Sequence, residues 1–140
     1  MHILILYQSR GGNTRRTADS IAQAARALGH TVAVKSVIEV RQADIDQAER
    51  LFIGTWVQGF ILFGVKPAAA ELWVAALPAL TGKSVAVFCT YAFNPRRSLD
   101  RLSALLTARG AKVIAKQAFQ RNRLDAGVSE FVQRALSSAG

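Results

Sequence analysis

The chain alternates two kinds of apolar pattern. His2 to Tyr7 is a short apolar run, the pattern of a strand buried on both faces. From Asn13 the period changes: Ala18, Ile21, Ala22, Ala25 and Leu28 fall on one helical face, and Gly29 closes the helix. Thr31 to Val40 carries Val32, Val34 and Val37 in the looser alternation of an outer strand. Leu51 to Ile53 reads as a third strand, stopped by Gly54. Pro67 suits the first residue of a helix that continues through Ala70, Leu72, Trp73, Ala76 and Leu77. Val85 to Cys89 is a fourth strand, and the stripe Leu99, Leu102, Leu105 and Leu106 a helix ended by Gly110. Lys112 to Phe119 is a fifth strand and Val128 to Leu136 a last helix.

Five strands separated by helices predict an α/β fold covered on both faces, with residues 1–140 forming a single domain. Right-handed crossovers favour a doubly wound five-stranded parallel sheet in the order 2-1-3-4-5. The second and fifth strands then lie at the edges, where Lys112 and Lys116 discourage pairing with another sheet. Ligands of open α/β sheets bind beyond the carboxyl ends of the strands, where the order reverses. The site is therefore expected in the loops after Tyr7, Ile53 and Phe88.

The first of these loops, Gln8-Ser9-Arg10-Gly11-Gly12-Asn13-Thr14, opens a helix. Unpaired N–H groups at a helix start suit a phosphate, and Gly11 and Gly12 allow the backbone to approach it closely. Ser9, Asn13 and Thr14 add neutral donors, while Arg10, Arg15 and Arg16 add charge. A bare helix end contributes only about 0.3–1 kcal/mol towards an anion, so several direct donors must add to it. The plainer alternative is a helix capped by Asn13 or Thr14. A Walker A loop needs lysine after its last glycine, and Asn13 stands there. The dinucleotide fingerprint needs three spaced glycines. A cysteine-loop phosphatase needs its nucleophile here, and the single cysteine is Cys89. Receiver domains need acids where Gln8, Ser9, Gly54 and Thr55 stand.

The run Ser9-Arg10-Gly11-Gly12-Asn13-Thr14 after a first strand resembles the phosphate loop of the flavodoxin family. It departs from that pattern at Gly11, which stands where the family carries a hydroxyl. The resemblance implies a flavodoxin-like fold and flavin mononucleotide (FMN) as cofactor. It also implies a redox protein carrying electrons between a reductase and an acceptor, or a small flavin-dependent reductase. It nominates Thr55, Trp56, Val57, Gln58 and Gly59 of the second loop as cofactor-binding, with Trp56 stacking on the ring and Thr55 and Gln58 hydrogen-bonding. From the third loop it nominates Thr90, Tyr91, Ala92 and Phe93, with Tyr91 on the other side of the ring. The other reading of Trp56 is a core side chain. Acids common in flavodoxin flavin loops are absent here, and Arg96 and Arg97 follow instead. A positive charge near the ring favours the added negative charge of reduction, which predicts a less negative potential.

Charge sharpens the expected partner. Of the net +9, the segment from Lys83 onward contributes ten basic against three acidic residues. Such asymmetry attracts an acidic redox partner protein, nucleic acid or an anionic membrane surface; the plainer reading is solubility and edge protection. A flavin-free flavodoxin-fold module binding nucleic acid or an acidic protein through its basic C-terminal half is the alternative function. Against it, Lys112, Lys116, Arg121 and Arg123 have only Phe119 beside them as a stacking aromatic.

No apolar run is long enough for a membrane span, and the first residues read as a strand rather than a signal peptide. Together with the lone Cys89 this predicts a cytoplasmic protein. His2 and His30 lack partner motifs, Cys89 reads as an inert buried thiol, and Asp44, Asp46 and Glu49 as solvent-facing acids. Neither a catalytic set nor a metal site is expected. The apolar loop Phe60-Ile61-Leu62-Phe63-Gly64-Val65 has several readings: burial under its own helix, cover for the flavin edge, a homodimer contact, or docking of a partner or quinone.

Overall fold

Along the central strands Leu4, Leu6, Leu51, Ile53, Val85 and Val87 alternate with Ile3, Ile5, Phe52, Ala86 and Phe88. A strand that is apolar on both faces needs cover on both. The computed structural model, which describes residues 1–8, 12–56, 70–91 and 96–137, supplies that cover with helices. The elements run β1 (His2–Tyr7), α1 (Asn13–Ala27), β2 (Thr31–Ser36), α2 (Gln42–Gln47) and β3 (Arg50–Trp56). They continue with α3 (Ala70–Ala76), β4 (Ser84–Tyr91), α4 (Arg96–Ala108), β5 (Lys112–Gln120) and α5 (Val128–Ser137). All neighbouring strands pair in parallel, in the order β2-β1-β3-β4-β5, as the alternation of strand and helix predicts.

Two apolar layers result. On one face Trp73 and Val74 of α3, Leu77 just past its end, and Leu102 and Leu106 of α4 pack with Ile45 of α2 against the sheet. On the other, Ala18, Ile21, Ala22 and Ala25 of α1 meet Phe131 and Val132 of α5. Rings organise this second layer. Phe131 sits edge-on to Phe52 (centroids 5.5 Å apart) and to Phe119 (5.8 Å), and Phe119 in turn reaches Phe88 at 6.5 Å. Such edge-to-face pairs add about 0.5–1.5 kcal/mol each beyond burial.

The structure departs from the pattern reading in a few places. The second strand ends at Ser36, not Val40, and Ile38 stands 87% exposed in the turn that follows. The short helix α2 carries one buried residue, Ile45, so it has no apolar stripe to detect. It is held instead through Asp44, which accepts hydrogen bonds from Lys35 Nζ at 2.9 Å and from the Arg41 N–H at 2.8 Å. The Lys35 ammonium and then the Arg41 amide hold the Asp44 carboxyl below the usual carboxylate range. Asp44 is therefore half-buried and paired, whereas Asp46 and Glu49 face solvent as expected. Leu28 lies past the last turn of α1 and Leu72 off the buried stripe of α3, and both are exposed. Val74 takes the core position that Leu72 was expected to fill. Pro67 and the apolar loop 60–65 lie outside the described residues.

Candidate functional site at the carboxyl end of the sheet

The strand order reverses beside β1, because β2 and β3 lie on opposite sides of it. In open α/β sheets such a reversal is where ligands bind, beyond the carboxyl ends of the strands. The start of α1 lies at this end of the sheet. Its N-cap is Gly12, at φ +92°, a left-handed conformation that an L side chain adopts only with strain. No side chain caps this end among the described residues, and the first turn carries no acid. Arg15 and Arg16 follow, both exposed. Among the described residues, no carboxylate or hydroxyl competes for the first amides of α1, which keep their partial positive charge.

Three contacts lock the strand ends around this helix start. The Gln8 N–H donates to the Gly54 carbonyl at 2.9 Å, and Thr55 Oγ1 donates to Gln8 Oε1 at 2.6 Å. The Thr14 and Thr90 hydroxyls meet at 3.0 Å, fully buried, across 76 residues of sequence. On the far side, the Arg121 N–H donates to the Tyr91 carbonyl at 2.8 Å. The ends of β1, β3, β4 and β5 are therefore one hydrogen-bonded unit.

Trp56 and Tyr91 end their strands at this rim, each half-buried. Parallel register sets Trp56 opposite Thr90, so Tyr91 ends β4 one residue beyond the level of Trp56. Beneath them the ring of Phe88 lies directly over Gly54, its register partner. A Cβ on Gly54 would stand 2.2 Å from that ring, so the close approach of β3 to Phe88 depends on glycine. Cys89 is fully buried among apolar atoms, and burial pushes its thiol up to about 12, so it stays protonated at neutral pH.

Of the residues nominated from the sequence, the fold brings Gly12, Asn13, Thr14, Thr55, Trp56, Thr90 and Tyr91 to this one end. Ser9, Arg10, Gly11, Val57, Gln58, Gly59, Ala92 and Phe93 lie outside the described residues. Thr14 is used differently from a plain phosphate donor, since its hydroxyl already bonds Thr90 and only its amide is free of that duty. Sequence reasoning passed over Gln8, whose side chain joins β1 to Thr55. Its polar character at the end of an apolar strand was the available signal. Among the described residues no cluster of three or more His, Cys, Asp or Glu side chains forms a metal site, and no helix is long and apolar enough to cross a membrane.

A doubly wound five-stranded parallel sheet in the order 2-1-3-4-5 defines the flavodoxin-like class of α/β protein. The chain belongs to the flavodoxin-domain family, whose model matches residues 4–137. Flavodoxin-family proteins bind FMN and serve in electron transfer. Among solved structures, the chain is similar to the flavodoxin of Megasphaera elsdenii, with a TM-score of 0.80, 24% identity, and 97% of this chain and 99% of that one covered. It is also similar to Flavodoxin 2 of Bacillus cereus, with a TM-score of 0.74, 22% identity and coverage of 97% and 98%. The flavodoxin of Streptococcus pneumoniae TIGR4 gives a TM-score of 0.73 at 20% identity, with coverage of 98% and 99%. At these identities the likeness is one of fold. Among curated protein sequences, none matches the chain.

Proposed function

We propose that this protein binds FMN at the carboxyl end of its sheet and carries electrons between a reductase and an acceptor. The observation that carries the reading is the start of α1: a left-handed Gly12, no capping side chain among the described residues and no acid in the first turn, set at the strand-order reversal. An end left bare in this way fits a dianionic phosphate ester. In this reading Ser9, Arg10, Gly11, Gly12, Asn13 and the Thr14 amide hold the phosphate. Thr55, Trp56, Val57, Gln58 and Gly59 flank the ring on one side, and Thr90, Tyr91, Ala92 and Phe93 on the other. When bound, FMN accepts and releases one or two electrons, while the protein sets its potential and access. The Thr14–Thr90 and Thr55–Gln8 bonds fix the distance between the phosphate-binding and ring-binding ends.

Equilibrium titration of the apoprotein with FMN tests the reading directly. Saturable quenching of flavin fluorescence and a yellow, stoichiometric complex are expected; a colourless protein that leaves FMN fluorescence unchanged sinks the proposal. The nucleic-acid alternative gains no support from β5, because Phe119 is 1% exposed and offers no stacking face.

Arg97, exposed in the first turn of α4, adds positive charge close to the third loop. The midpoint potential of the FMN-loaded protein is therefore expected to be less negative than in flavodoxins with acidic flavin loops. Arg97→Glu should lower it by on the order of 30 mV per electron, equivalent to about 0.7 kcal/mol. A redox titration in which the variant and the parent coincide would remove Arg97 from the control of potential.

A further inference from the structure

We infer that the arginine-lined groove between α1 and the β5–α5 turn is the docking surface for the redox partner, and that this partner presents an acidic face. The inference rests on the electron-carrier reading and adds to it the place and the charge of the contact. Arg16, Asp19 and Ser20 of α1 face Arg121, Arg123 and Asp125 of the turn across an open groove of about 600 Å³. The three arginines are exposed, and of the two carboxylates Asp125 already accepts a hydrogen bond from Ser20 Oγ at 3.2 Å.

The groove adjoins the candidate cofactor site through the backbone. The Arg121 N–H binds the Tyr91 carbonyl, so the basic turn is continuous with the end of β4 that carries the rim aromatic. Arg15 and Arg97, in the first turns of α1 and α4, extend positive charge around the same end of the sheet. The turn is also ordered. Arg123 N–H donates to the Gln120 carbonyl and Ala126 N–H to the Arg123 carbonyl, while Leu124 is buried beneath them. Guanidinium groups on a preformed turn bind a complementary surface without first ordering the backbone.

Charge pattern selects the kind of partner. Polynucleotide grooves present continuous positive charge and aromatic platforms. Here Asp19 and Asp125 interrupt the arginines, and Phe119 on the adjoining strand is buried. A mixed-sign rim with a positive excess matches a protein surface of opposite excess, where complementarity sets encounter rate and register.

The test uses two haem proteins of opposite charge as probes, the acidic cytochrome b5 domain and the basic cytochrome c. Their binding is measured by calorimetry against the full chain and against Arg121→Glu/Arg123→Glu. Cytochrome b5 is expected to bind, with affinity falling about tenfold as salt rises from about 20 to 200 mM, and cytochrome c is expected not to bind. The double variant should bind cytochrome b5 about tenfold more weakly at low salt and lose most of the salt dependence. Equal binding by the variant and the parent, or no preference for the acidic probe, overturns the assignment. So does a single-stranded oligonucleotide that depends on Arg121 and Arg123 while cytochrome b5 does not bind. FMN titration of the same preparations separates the two readings. Loss of FMN binding with cytochrome b5 binding intact defeats the carrier reading alone, and the reverse result defeats the docking surface alone.

Discussion

Gly54→Ala lowers the thermal midpoint of this protein by on the order of 4–10 °C, the shift that about 1–3 kcal/mol of overpacking gives in a domain of this size. The added methyl would stand 2.2 Å from the Phe88 ring, well inside contact distance. A ring tip on an open surface would swing aside at little cost, but Phe88 is fully buried and sits 6.5 Å from Phe119, which is itself held by Phe131. The strain therefore passes along the row of rings or pushes β3 and β4 apart. The second outcome reaches the site, because Thr55 and Trp56 follow Gly54 directly and Thr90 and Tyr91 close β4 two and three residues after Phe88. FMN affinity should fall together with stability. Calorimetric unfolding of Gly54→Ala, Phe88→Leu and the double variant checks the mechanism. If the clash is the cause, the double variant is more stable than the sum of the single losses predicts. Strict additivity, or a Gly54→Ala protein as stable as its parent, would show that the ring relocates freely.

That prediction rests on a feature the sequence does not display. The order of the strands, and of every helix but α2, was legible because these elements carry their own periods: Ile3 to Leu6 as a buried strand, Ala18, Ile21, Ala22 and Ala25 as a helical stripe. The end of the sheet where the candidate site is proposed was legible as well, since it follows from strand order. Contacts that depend on register were not. Gly54 reads as a strand terminator, and only the pairing Gly54↔Phe88 turns it into a position where a side chain is forbidden. Thr14 reads as a phosphate donor, and only the packing of α1 over β4 shows its hydroxyl engaged by Thr90. Helix α2 escaped detection because a single buried Ile45 and the Lys35–Asp44 pair replace an apolar stripe. The basic residues near the C-terminus were visible as a count, but that two of them, Arg121 and Arg123, share a groove with Arg16 is visible only where the β5–α5 turn faces α1.

Trp56→Ala is expected to weaken FMN binding by about 10–100-fold, the range that loss of one aromatic stacking partner worth about 1–3 kcal/mol produces. Trp56 ends β3 half-buried, beside a helix start suited to the phosphate and level with Thr90 on the neighbouring strand. A planar ligand held at both places would cover the indole and gain both burial and offset stacking. Tyr91→Ala should cost less, since a phenol offers a smaller face than an indole. Trp56→Phe should recover most of the lost affinity, because it keeps an aromatic face. Flavin fluorescence reports the effect independently of affinity: at saturation the Trp56→Ala complex should remain brighter than the parent complex. The stability of the apoprotein separates stacking from packing. A Trp56→Ala protein that binds FMN as tightly as its parent but unfolds at a much lower temperature would make Trp56 a support of the sheet end and leave Tyr91 as the aromatic partner of the ring.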